Sequence, residues 1–77
     1  MIDDDRLRKV FRSALSLPDD FPVDSLEYRG IDKWDSLAHM SLVAALEDEF
    51  DVMIDTDDVI DMSSFGKARE LLEKHLV

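Results

Sequence analysis

Apolar residues recur at spacings of three and four in three separate stretches of this chain, and that period points to a packing of helices rather than to a sheet. Leu7, Val10, Phe11, Ala14 and Leu15 share one face of a helix expected from about Asp4 to Ser16. Its leading aspartates, Asp3, Asp4 and Asp5, suit a helix N-terminus, where unpaired backbone N–H groups leave partial positive charge. His39, Leu42, Val43, Leu46 and Phe50 form the core face of a second helix, expected to start sharply at Asp35-Ser36, with Ser36 placed to cap it, and to run to Glu49 or Phe50. Phe65, Ala68, Leu72 and Leu76 make a last stripe, flanked by Leu71 and His75, on a helix that Ser63 or Ser64 can cap. Between these, Thr56 to Asp61 is long enough for one or two turns, with Val59, Ile60 and Met62 as its buried candidates.

The remaining long stretch lies ahead of Ser36. Pro18 and Pro22 stop regular structure there, and Leu26, Tyr28 and Ile31 are available to pin the loop to the core. With 77 residues the chain is expected to form one domain spanning residues 1–77, with a single modest core and no large active-site cleft. It has no cysteine. No disulfide or thiolate metal site can therefore supplement that core, and any thioester chemistry must arrive on a prosthetic group. No apolar run approaches the roughly 20 residues needed to cross a bilayer, and the opening Met1-Ile2-Asp3-Asp4-Asp5 is the opposite of a basic signal-peptide start, so a soluble, cytoplasmic monomer is expected.

Charge narrows the choice of partners. A net charge of -10 would repel nucleic acid and anionic membranes, and basic protein surfaces are the natural complement. The charge is unevenly placed. No Lys or Arg occurs between Trp34 and Gly66, a segment that holds Asp35, Glu47, Asp48, Glu49, Asp51, Asp55, Asp57, Asp58 and Asp61. The second helix also carries a second apolar stripe, Leu37, Met40 and Ala44, rotated towards its acids. A solvated face is the ordinary reading of such a run of acids. The apolar residues beside it favour a docking surface.

Trp34-Asp35-Ser36-Leu37 is the most informative stretch for chemistry. A serine on the first turn of a helix, after a long loop, offers its hydroxyl to an approaching enzyme, and an anion attached there would sit at the positive helix end. On local sequence alone, a plain helix cap is the commoner role for such a serine.

Asp35-Ser36-Leu37, followed by Leu42-Val43-Ala44-Ala45-Leu46-Glu47-Asp48-Glu49-Phe50 and then Ile54 and a run of acids, resembles the acyl carrier protein family over essentially the whole chain. The resemblance implies an all-α four-helix bundle with a long first loop and a short third helix. It implies that Ser36 takes 4′-phosphopantetheine from coenzyme A through a phosphopantetheinyl transferase, and that the arm's thiol carries acyl or aminoacyl groups between enzymes with basic docking patches. Asp35, Leu37, Met40, Glu47 and Asp48 would meet those partners, and Leu46, Ile54, Val59, Met62 and Leu72 would line a pocket for an apolar cargo. Two departures stand out. Trp34 replaces the family's usual small residue, and Ala38 and Ser41 stand where fatty acid carriers commonly have acids. Both hint at a specialised carrier.

Other features read as structural. His39 and His75 fall on core-facing or flanking positions, and the aspartates from Asp51 to Asp61 lack the glycine and glutamate spacing of a calcium-binding loop. No catalytic dyad is evident. The chain is therefore expected to be a passive carrier rather than an enzyme. The alternative is a small acidic interaction module in which Ser36 is only a helix cap or a phosphorylation site.

Overall fold

Asp3 begins the first helix: its side chain accepts from the backbone N–H groups of Asp5 and Arg6, at 3.0 and 3.3 Å, satisfying two donors that the first turn leaves free. The computed structural model describes the backbone of residues 2–76 and the side chains of residues 2–75. Helix α1 (Asp4–Ala14) ends two residues short of the expected Ser16. Ser16 takes a left-handed conformation, φ 57°, and lets the Leu17 N–H reach back to the Arg12 carbonyl at 2.7 Å. Pro18 disfavours helical backbone at the residue before it, which accounts for the early stop.

Helices α2 (Ser36–Phe50), α3 (Thr56–Asp61) and α4 (Phe65–Leu76) follow, and among the described residues there is no strand. The protein is thus all-helical, a small bundle of four helices. All five residues of the expected α2 core face, His39, Leu42, Val43, Leu46 and Phe50, are buried. The Ser64 hydroxyl accepts from the Lys67 N–H at 3.0 Å and so caps α4, whose Phe65, Ala68, Leu71 and Leu72 are buried; the Leu76 side chain lies outside the described residues. One expectation fails on α3. Met62 is buried and Val59 half-buried, but Ile60 is 73% exposed. Two turns of helix can turn only one side inward, and Ile60 lies off that side.

The long connection before α2 is held down along its length. Val23 and Leu26 are buried, and Tyr28 and Ile31 pack against the core. Leu26 and Tyr28 are also tied to the α3–α4 link: the Tyr28 N–H donates to the Ser63 carbonyl at 2.8 Å and the Phe65 N–H to the Leu26 carbonyl at 2.9 Å, forming an isolated antiparallel bridge at Glu27 and Ser64. At the centre, Phe11 of α1 meets Trp34 and Phe65 edge to face, with ring centroids 5.4 and 5.0 Å apart. Such pairs contribute roughly 0.5–1.5 kcal/mol each beyond the area they bury. Arg6 joins α1 to the end of α2, donating to the Glu49 carboxylate at 3.0 Å and to its backbone carbonyl at 2.6 Å, with its guanidinium over the Phe50 ring.

Candidate functional site

The segment that leads into α2 fixes the place of Ser36. Trp34 is fully buried, rather than standing as a bulky neighbour at the surface beside the serine. Its indole N–H donates to Nδ1 of His39 at 3.0 Å. Because that nitrogen accepts, the hydrogen of a neutral imidazole sits on Nε2, which donates to the Val59 carbonyl at 2.9 Å. One chain of hydrogen bonds thus joins the loop, α2 and α3. His39 is a fully engaged structural histidine, as its place on the core face implied. His75 bonds through Nε2 to the Asp58 carboxylate at 3.2 Å, linking α4 to α3.

The cap of α2 is Asp35, not Ser36. The Asp35 carboxylate accepts from the Ala38 N–H at 2.9 Å, and Ser36 is the first helical residue. A carboxylate is a stronger acceptor than a hydroxyl and has the shorter reach to the first turn from this position. The consequence for Ser36 is freedom from backbone duty. Its exposed side chain has one partner in the structure: its Oγ lies 2.9 Å from the Tyr28 hydroxyl.

Tyr28 itself is held from several sides. Its backbone belongs to the bridge with the α3–α4 link, and its ring meets Trp34 edge to face at 6.1 Å and tilts against His39 at 5.0 Å. The turn that follows closes with the Gly30 N–H on the Glu27 carbonyl at 2.8 Å. A Cβ at Gly30 would stand 3.0 Å from that same carbonyl oxygen, so a side chain there would displace the turn by a few tenths of an ångström. Tyr28 was expected only to pin the loop. Its contact with Ser36 had no signal in the sequence beyond the presence of a phenol in the preceding loop.

Beyond Ser36, Leu37 is 79% and Met40 59% exposed on the outer face of α2, with Ala44 exposed in the next turn. Met53 in the α2–α3 connection and Ile60 on α3 are exposed as well. The acids expected to join Leu37 and Met40 divide into different tasks. Asp35 caps the helix. Glu47 is half-buried, and its Oε2 accepts from the Ile54 N–H at 2.9 Å, fastening the α2–α3 connection. Asp48 is exposed and borders a cleft of about 370 Å³ between α1 and α2, with Arg6, Lys9, Val10, Ser41 and Glu49 among its walls. Ser41 therefore shares a cleft with two basic residues of the chain itself, and Ala38 is half-buried beside the core.

Of the five residues expected to line a cargo pocket, Leu46, Met62 and Leu72 are fully buried in the core, and Ile54 and Val59 pack half-buried against that core. None of the five borders the α1–α2 cleft or a second cleft, of about 520 Å³, along Lys9, Arg12, Ser13, Leu17 and Asp19.

Among the described residues, no three His, Asp or Glu side chains are grouped to hold a metal ion, and no helix is long and apolar enough to cross a membrane. No family model matches the chain.

Proposed function

We propose that this chain is a carrier protein that accepts a 4′-phosphopantetheine arm from coenzyme A on Ser36 and holds acyl or aminoacyl groups on it as thioesters. The observation that carries the reading is the state of the Ser36 hydroxyl: exposed at the head of a fifteen-residue helix, released from capping by Asp35, and beside the exposed apolar Leu37 and Met40. Sequence resemblance to acyl carrier proteins supplies the identity of the arm.

The residues present suit that group. The Tyr28 phenol beside Oγ can donate to an anion attached there, and nothing encloses the serine from the side of solvent. When bound, the arm supplies a thiol, which the chain lacks. Its own residues present the hydroxyl, hold Tyr28 beside it and offer Leu37 and Met40 to partners; loading and processing of cargo belong to separate enzymes with basic docking patches.

Intact mass after incubation with coenzyme A and a phosphopantetheinyl transferase tests the proposal. The wild type should gain the mass of one arm and Ser36→Ala should gain none. A wild type that gains no mass, or a gain that survives the substitution, overturns it.

A further inference from the structure

Among the described residues Tyr28 is the one side chain bonded to the Ser36 hydroxyl, and its placement is over-determined. Its backbone is fixed by the bridge to the α3–α4 link, and its ring by Trp34 and His39, both buried. A phenol held this firmly selects among the rotamers of an exposed serine, whose hydroxyl would otherwise sample several staggered positions.

We propose that Tyr28 is the positioning residue of the attachment site: its O–H donates to Ser36 Oγ in the unmodified protein and to a non-bridging oxygen of the phosphodiester once the arm is attached. The inference rests on the carrier reading above.

The chemistry of the transfer gives the hydrogen bond a direction. Ser36 Oγ forms a bond to the phosphorus of coenzyme A that bears the pantetheine; the bond from that phosphorus to the adenosine-side phosphate breaks, and adenosine 3′,5′-bisphosphate leaves with the electron pair. The serine proton passes to a base of the transferase. If Tyr28 donates, Oγ keeps one lone pair for attack and its own proton points away from the phenol, towards the incoming enzyme. If Tyr28 accepted instead, that proton would be held against the phenol and withheld from the base. Donation is therefore the productive arrangement. After transfer Oγ is an ester oxygen and a poor acceptor, whereas the anionic non-bridging oxygens, two bonds from it, are strong ones. The same phenol can move its hydrogen bond by that short step and so fix the direction in which the arm leaves the surface.

Tyr28→Phe tests this, because it keeps the ring contacts and removes one oxygen. The transferase reaction is followed by intact mass at varied carrier concentration, and the ³¹P resonance of the loaded protein is recorded. The variant should show a kcat lower by roughly tenfold, as expected for one hydrogen bond to a reacting or charged group, with KM for the carrier unchanged. Its ³¹P signal should shift and narrow, since the root of the arm turns more freely. An unchanged kcat overturns the inference, as does a rise in KM with the ³¹P signal left in place, which would mark a loss of fit to the transferase alone. Both outcomes leave the wild type loaded at Ser36, and so are distinct from failure of the carrier reading, in which the wild type gains no mass and this inference falls with it.

Discussion

Trp34 and His39 form a buried donor–acceptor pair across the start of α2, with 3.0 Å between the indole nitrogen and Nδ1. Indole can only donate, so the pair fixes the imidazole tautomer and, through it, the bond to the Val59 carbonyl of α3. Trp34→Phe should leave the buried Nδ1 without its donor and open space beside Phe11, lowering stability by roughly 2 kcal/mol or more. His39→Leu should be destabilising too, but the double variant should lose less than the sum, because the unpaired nitrogen disappears with the histidine. Urea unfolding of the four proteins measures the coupling. Strict additivity would show that the pair contributes nothing of its own.

The two residues at the head of α2 should separate cleanly. Asp35→Ala removes the cap and should cost about 1 kcal/mol, whereas Ser36→Ala leaves the cap in place and should change stability by less than about 0.5 kcal/mol. Chemical denaturation of both variants checks this. A large loss at Ser36 would mean that its hydroxyl, rather than the Asp35 carboxylate, holds the first turn.

Charge reversal on α2 should have two different effects. Glu47→Lys breaks the bond to the Ile54 N–H and should lower the melting temperature, with about 1 kcal/mol or more lost, while Asp48→Lys should leave it nearly unchanged. Glu47→Gln, which retains an acceptor, should recover most of the loss. Any defect of Glu47→Lys with a partner enzyme therefore has to be compared with Glu47→Gln. Leu37→Ala and Met40→Ala report on docking without that complication, since both side chains are exposed. Surface plasmon resonance against a basic partner at rising salt should show weakening for the wild type, because exposed charges are screened over about 8 Å at physiological ionic strength.

A pH dependence follows from the Arg8–Asp24 pair, which ties α1 to the loop through hydrogen bonds of 2.8 and 3.0 Å. Those bonds hold the Asp24 carboxyl below the usual carboxylate range; partial desolvation opposes them, and the Arg8 charge reinforces them. A carboxyl whose value is lowered by folding contributes stability above its unfolded value and loses it as the pH falls through the folded one. Asp24→Asn should therefore melt below the wild type at neutral pH, with the gap closing in acid. A gap that stays constant from neutral pH down would refute a charge-dependent contribution. Asp24 is exposed and Arg8 partly so, and the effect should therefore be small and should shrink in salt.

The helices were legible because burial and helical period coincide in them. His39, Leu42, Val43, Leu46 and Phe50 recur at steps of three and four and are all buried, and the six residues Thr56–Asp61 form α3 as expected. Ile60 was misread because Val59 and Ile60 are adjacent in a segment too short and too acidic to give a period from which to choose a face. The roles of Trp34 and Asp35 were obscured for a different reason. Local rules rank serine and aspartate almost equally as caps, so two adjacent candidates leave the choice to geometry. The burial of Trp34 had one usable sign, a core-facing histidine five residues on that could take its N–H. The Tyr28–Ser36 contact had no sign beyond the phenol itself, since it depends on a bridge formed with residues distant in sequence.

That bridge also bears on when the surroundings of Ser36 come into being. The strand-like pairing at Glu27 and Ser64 joins opposite halves of the sequence, and Tyr28 reaches Ser36 from its shoulder. Contacts within α1 and within α2 are local and can form early in folding, but the pairing has to wait until the α3–α4 link is in place. A chain lacking residues 63–65 would thus carry the serine with its tyrosine unanchored. The surroundings of Ser36 are in that sense a late product of folding: the serine precedes in sequence the residues that anchor its neighbour.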